Sequence, residues 1–118
     1  MRAEDAVGGY GERIAARHLE QAGMVVLARN WRCELGELDL IARDGDCLVV
    51  CEVKTRRSTA AGHPLEAVTP VKLARLRRLA AAWMSAHGVH PREVRLDVVG
   101  VLRPLRGPAV VEHLRGVG

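Results

Sequence analysis

The stretch GELDLIARDGDCLVVCEVK, Gly36 to Lys54, decides the fold. Two β-rich runs, Leu35 to Ala42 and Cys47 to Lys54, flank Asp44-Gly45, a strong hairpin signal. With Asp44-Gly45 as a two-residue turn, Arg43 faces Asp46, Asp39 faces Val50 and Glu37 faces Glu52. Side chains alternate across a strand, so one face carries Leu38, Leu40, Ala42, Cys47, Val49, Cys51 and Val53, all apolar. The other carries Ile41, Leu48 and Val50 near the turn, then Glu37, Asp39, Glu52 and Lys54. A register slipped by one residue would mix charges into both faces, which selects against it. Asp39 and Glu52 then become diagonal neighbours with Cβ atoms roughly 7 Å apart.

Acids and a lysine at strand ends often form a solvated edge, and Glu52–Lys54 reads equally as a same-face ion pair. Yet Asp39 sits in Leu38-Asp39-Leu40-Ile41, and Glu52 follows Val49-Val50-Cys51. Strands this apolar are expected to be covered on both faces. Carboxylates placed there need a partner, because burying a bare charge is costly. A hard cation bound by oxygen, Mg2+ or Mn2+, would supply one.

Outward from the hairpin, Glu4 to Ala22 reads as a helix: Tyr10, Ile14, Ala15, Leu19 and Ala22 recur near helical spacing and Gly23 supplies the stop. Met24 to Asn30 is a first strand. Thr55 to Val68 reads as a loop. Thr69-Pro70 opens a second helix, capped by Thr69, with Leu73, Leu76, Ala80, Trp83 and Met84 as its buried stripe and Gly88 as its end. Val94 to Leu102 is another strand, and Ala109 to His113 a short edge strand in a tail expected to be flexible from about residue 104. The order α-β-β-β-α-β-(β) implies an α/β fold. A three-strand antiparallel meander, a crossover helix and a returning strand make a mixed central sheet flanked by helices.

With 118 residues the chain fits one domain, residues 1–118. No apolar run approaches the ~20 residues that span a bilayer. The acidic, glycine-rich start is not a signal peptide, so a cytoplasmic protein without membrane partners is expected. Cys33, Cys47 and Cys51 are odd in number and form no C-x-x-C pair, so they read as free thiols. A net charge of +4 suits a polyanion. No Phe, one Tyr and two Trp exclude the stacking platforms of single-strand binders. Nucleic acid would be held through its backbone.

Several blocks carry a resemblance. Gly36-Glu37-Leu38-Asp39-Leu40-Ile41, Asp44-Gly45-Asp46 and Glu52-Val53-Lys54-Thr55-Arg56 closely resemble the YraN-like family of small uncharacterised bacterial proteins. Gly8-x-x-Gly11-Glu12 with Ala15 and Leu19, Arg29-Asn30-Trp31-Arg32, Ala67-Val68 with Lys72, and Arg95-Leu96-Asp97-Val98-Val99 match its other blocks, up to about Leu102. The resemblance implies a restriction-endonuclease-like fold, similar to archaeal Holliday junction resolvases, and a signature of acid, acid, x-Lys. Asp39, Glu52 and Lys54 match that signature and Glu12 matches the resolvases' first-helix acid. Leu38 stands where the signature has proline.

The expected function is therefore metal-dependent endonucleolytic hydrolysis of phosphodiester bonds, with double-stranded or branched DNA as partner and, by analogy, a homodimer. Asp39, Glu52 and the Val53 carbonyl would hold Mg2+ or Mn2+, with Glu12 either completing the shell or lying solvated on its helix. Lys54 would position or deprotonate the attacking water. Thr55, Arg56 and Arg57 would grip phosphates. Lys72, Arg75 and Arg78 either do the same or form a solubilising face, Lys72 being favoured because it falls in a family block. Asp97 supports either the sheet or the site. A nucleic-acid-binding module with a nuclease fold that does not cut is the competing function.

Overall fold

The computed structural model describes residues 3–57, 62, 63, 66 and 68–118, with residues 3–8 followed in backbone only. Helix α1, Ala3–Gln21, buries Ala15, Ala16 and Leu19. It ends in a Schellman motif: Gly23 takes φ 93°, its N–H donates to Glu20 O, and Met24 N–H donates to Leu19 O. Gly23 reaches that left-handed backbone without the strain a Cβ would bring. Strands β1 (Val25–Cys33), β2 (Gly36–Asp44) and β3 (Cys47–Arg56) follow as an antiparallel meander. Helix α2, Pro70–His87, starts where Thr69 accepts a hydrogen bond from Lys72 N–H and ends at Gly88, φ 62°. Strands β4 (Glu93–Leu102) and β5 (Val110–Leu114) complete the order α-β-β-β-α-β-β.

Among the described residues the sheet runs β1-β2-β3-β4-β5, with β3 and β4 parallel and every other pair antiparallel. The parallel pair exists because α2 carries the chain back across one face. Leu40, Ala42, Val49, Cys51, Val99 and Val101 pack with α1 on one side. Ile41, Leu48, Val50 and Leu96 pack with Leu76, Leu79, Ala80 and Trp83 of α2 on the other. Each helix thus closes one face, and the apolar strands are covered on both. Part of the expected loop is strand, since β3 takes in Thr55 and Arg56. Residues 58–61, 64, 65 and 67 of that loop lie outside the described residues.

The structure corrects the hairpin in two ways. Asp44 pairs with Cys47, so Gly45-Asp46 forms the two-residue turn. Gly45 takes φ 61° while Asp46 keeps a negative φ, the pattern of a type II′ turn with glycine first. All β2–β3 pairs therefore shift by two residues, Ala42 facing Val49 and Leu40 facing Cys51. A shift of two leaves each side chain on its own face, so the sorting into faces survives while the partners change.

The second correction concerns Leu38. Leu40 belongs to the α1-side cluster and Leu38 to the α2-side cluster, so alternation breaks at Asp39 between them. The β1 residue at the corresponding register position is Asn30, which takes φ 51°. Left-handed backbone in a strand resets which way the following side chains point. After it Trp31 and Cys33 pack on the α2 side.

Candidate active site

The paired register of β2 and β3 ends at Leu40↔Cys51, and Asp39 and Glu52 are the residues that follow on each strand. The Asp39 carboxylate reaches back to its neighbour strand: Val53 N–H donates to Asp39 Oδ2 at 2.8 Å. Burial raises the Asp39 pKa to about 6, and the Glu52 carboxylate pushes the same way. The Val53 hydrogen bond opposes them, while Glu37 and Glu12 add smaller upward effects. Asp39 thus holds its proton more readily than a solvated carboxylate does.

Glu12 reaches this neighbourhood because α1 approaches β3 closely at the preceding residue. A Cβ on Gly11 would collide with Thr55 Oγ1 and lie 2.9 Å from Thr55 Cβ. Only glycine lets the helix lie there, one residue before Glu12, which is partly buried.

Glu52 has a partner that strand alternation does not reveal. Lys72, in the first turn of α2, places Nζ 2.7 Å from Glu52 Oε1, with both side chains largely withdrawn from solvent. The same-face pair Glu52–Lys54 does not form. Lys54 is exposed and makes no ion pair with any described residue. Glu37 pairs instead toward β1, 3.4 Å from Arg32 Nε. Arg75 and Arg78 are exposed on α2, while Thr55 and Arg56 are half-buried at the end of β3.

Among the described residues no three His, Cys, Asp or Glu side chains converge as a ready-made metal cage. The donors present are two carboxylates across a strand pair, the Val53 carbonyl and the more distant Glu12. Oxygen-only donors of this kind suit Mg2+ or Mn2+, which keep several of their own waters. The raised pKa of Asp39 marks a carboxylate that such a cation would stabilise.

A search of the protein-family models matches residues 11–101 to the uncharacterised protein family UPF0102. The chain belongs to that family. It is 69% identical to a UPF0102 protein of Kineococcus radiotolerans, covering 99% of this chain and 97% of that one. It is 67% identical to one of Beutenbergia cavernae over the full length of both. A UPF0102 protein of Streptomyces coelicolor is 62% identical, covering 99% of this chain and 92% of the relative. The YraN-like resemblance drawn from the sequence blocks is thereby established as family membership. The family match ends at residue 101, so β5 and the segment leading to it lie beyond it.

Asp97 on β4 centres the most elaborate polar network of the described structure, which reaches β5 through His113, and the sequence left its role open between sheet and site. Asp97 is fully buried. It accepts from Arg95 Nε at 2.9 Å, Arg95 Nη2 at 3.1 Å and Gly116 N–H at 3.0 Å, and bonds His113 Nε2 at 2.8 Å. Arg95 also reaches Asp44 at 3.0 Å, and His113 Nδ1 meets His18 Nε2 of α1 at 3.1 Å. Burial alone would raise the Asp97 pKa, but the His113, Arg95 and Gly116 hydrogen bonds outweigh it and hold it at about 2. Asp97 therefore ties β5 and α1 to β4, which makes it a support of the sheet. The signal available in sequence was Arg95-x-Asp97, two residues apart and so on one face of a strand.

The three cysteines are free thiols, and burial pushes the Cys51 thiol up and out of reactive range. No helix among the described residues is long and apolar enough to cross a membrane.

Proposed function

We propose that this protein is a Mg2+- or Mn2+-dependent endonuclease acting on double-stranded or branched DNA. The observation that carries the reading is the Asp39 carboxylate bound to Val53 N–H on β3, beside Glu52, with its pKa raised to about 6 by burial and by Glu52, Glu37 and Glu12. Asp39, Glu52 and the Val53 carbonyl would hold the ion, with Glu12 joining directly or through water. When bound, the ion would polarise a phosphoryl oxygen and lower the pKa of a coordinated water. Exposed Lys54 orients the attacking water and offsets charge developing on the phosphoryl oxygens. Arg56, at the end of β3, and Arg57, just past it, would hold flanking phosphates.

A second reading, a binding module that keeps the fold without cutting, has one observation in its favour. Lys72 already supplies Glu52 with a positive charge. Cleavage of branched, flapped and linear DNA with Mg2+ or Mn2+, comparing wild type with Asp39→Ala, separates the two. The enzyme reading expects metal-dependent products from wild type and none from the variant. Salt-dependent binding by both proteins, with cleavage by neither, establishes the binding module instead.

A further inference from the structure

Because β3 and β4 run parallel, their C-terminal ends emerge side by side, and both ends are basic. Arg56 pairs with Leu102, and the next residue continues the contact: Arg103 N–H donates to Arg56 O at 2.8 Å. Arg57 and Arg103 then line one open cleft of about 280 Å³ with Pro104 and Leu105. The Arg103 guanidinium lies 4.9 Å from the ring centre of Tyr10 on α1. A stacked guanidinium is held by its face and keeps its N–H edge free for an oxyanion. Next to this cleft, the Nε of Arg56 is buried without a hydrogen-bond partner.

No described carboxylate neutralises the cluster, and its Arg103 is braced by a ring. Arg29, Arg32, Arg95 and Arg115 each pair with a carboxylate. Arg56, Arg57 and Arg103 pair with none among the described residues. Like charges held together without a counter-ion repel, and an anion relieves the repulsion. Planar guanidinium forks match phosphate geometry in particular.

We propose that Arg57 and Arg103, the latter braced on Tyr10, form a subsite for a backbone phosphate of the nucleic acid, separate from the phosphate at Asp39 and Glu52. It rests on the nuclease reading for its substrate class. Arg57 stands three residues beyond Lys54, in the bend just past the end of β3. The phosphate held there is a different one from the phosphate attacked. No base edge is read here, so the subsite raises affinity without selecting sequence.

The test is equilibrium binding of a fluorescently labelled flapped DNA duplex in EDTA, across about 50 to 200 mM salt. Wild type is compared with Arg57→Ala, Arg103→Ala, the double variant and Arg92→Ala. Arg92 is an exposed arginine on a different cleft, beside Gly45 and Asp46, and controls for lost charge alone. The double variant is expected to flatten the plot of log affinity against log salt by about 0.9 per lost phosphate contact. Arg103→Lys and Tyr10→Leu are expected to weaken binding while keeping the slope closer to wild type. Slopes for the Arg57 and Arg103 variants matching that of Arg92→Ala overturn the subsite. Wild type that binds with the expected arginine dependence but never cuts removes the nuclease reading and leaves the subsite standing. Wild type that cuts, with binding indifferent to both arginines, does the reverse.

Discussion

Gly11→Ala tests the close approach of α1 to β3. On an ordinary helix surface the change would stabilise by about 0.8–1 kcal/mol through helix propensity. Here the new methyl meets Thr55 Oγ1, Thr55 Cβ at 2.9 Å and Thr55 Cγ2 at 3.1 Å. Forcing a methyl into packed space costs about 1–3 kcal/mol, so the net loss is about 1 kcal/mol. For a chain of this size that lowers Tm by about 4 °C. Thr55→Gly removes every atom in the collision, and in that background Gly11→Ala should stabilise by its propensity alone. The two effects differ by about 2 kcal/mol, a coupling readable by urea denaturation of the four proteins of a double-mutant cycle. Since the methyl pushes α1 off β3, Glu12 moves with it, and Mn2+ affinity should fall in Gly11→Ala and recover in the double variant. A Gly11→Ala protein about 1 kcal/mol more stable than wild type, with no coupling to Thr55, would refute the packing argument.

Two further predictions concern buried acids. Asp97→Ala strands Arg95, His113 and the Gly116 N–H, and should cost about 3–5 kcal/mol by thermal or urea unfolding; a loss under 1 kcal/mol would show the network to be dispensable. The folded pKa of Asp97, about 2, lies below its unfolded value of 3.8, so its contribution of about 2 kcal/mol is present above pH 4 and lost as pH falls toward 2. Asp39 has the opposite sign: a folded pKa raised to about 6 means stability lost as pH rises from about 4 through 6, at most about 3 kcal/mol before solvent screening. Asp39→Asn should therefore be more stable than wild type at pH 8 without metal, and Mg2+ should raise the Tm of wild type but not of the variant. Equal stability of the two proteins from pH 4 to 8 would contradict the crowding at Asp39.

What the sequence made legible followed from short-range periodicity. The strand alternation sorts Ile41, Leu48 and Val50 onto one face and Leu40, Ala42 and Val49 onto the other, and these faces pack on α2 and α1. The turn was misread because Asp44-Gly45 and Gly45-Asp46 are both acceptable hairpin pairs, and only the backbone of Gly45 distinguishes them. Because both alternatives share parity, the error displaced partners by two without turning a side chain over. Leu38 departs from its expected face because alternation in β2 breaks at Asp39, level with Asn30 of β1 at φ 51°, and the apolar-acidic pattern of β2 does not mark that break. The Glu52–Lys72 and Asp97–His113 contacts were invisible for a different reason. They join residues from separate elements, whose meeting depends on helix placement and on β5 folding back along β4.

The parallel seam between β3 and β4 has a kinetic consequence. Every pair along it, from Cys47↔Glu93 to Arg56↔Leu102, joins residues 46 positions apart, whereas the hairpin before it closes over two. Long closures carry an entropic cost before any contact rewards them, and chains rich in them fold slowly. Asp39 and Glu52 meet through the early, local hairpin, but Lys72 rides on the crossover and Arg103 on the returning strand. The local hairpin is thus favoured to form before the seam that brings Lys72 and Arg103 to it. Under the proposed function, a complete nucleic-acid surface would belong only to the finished molecule.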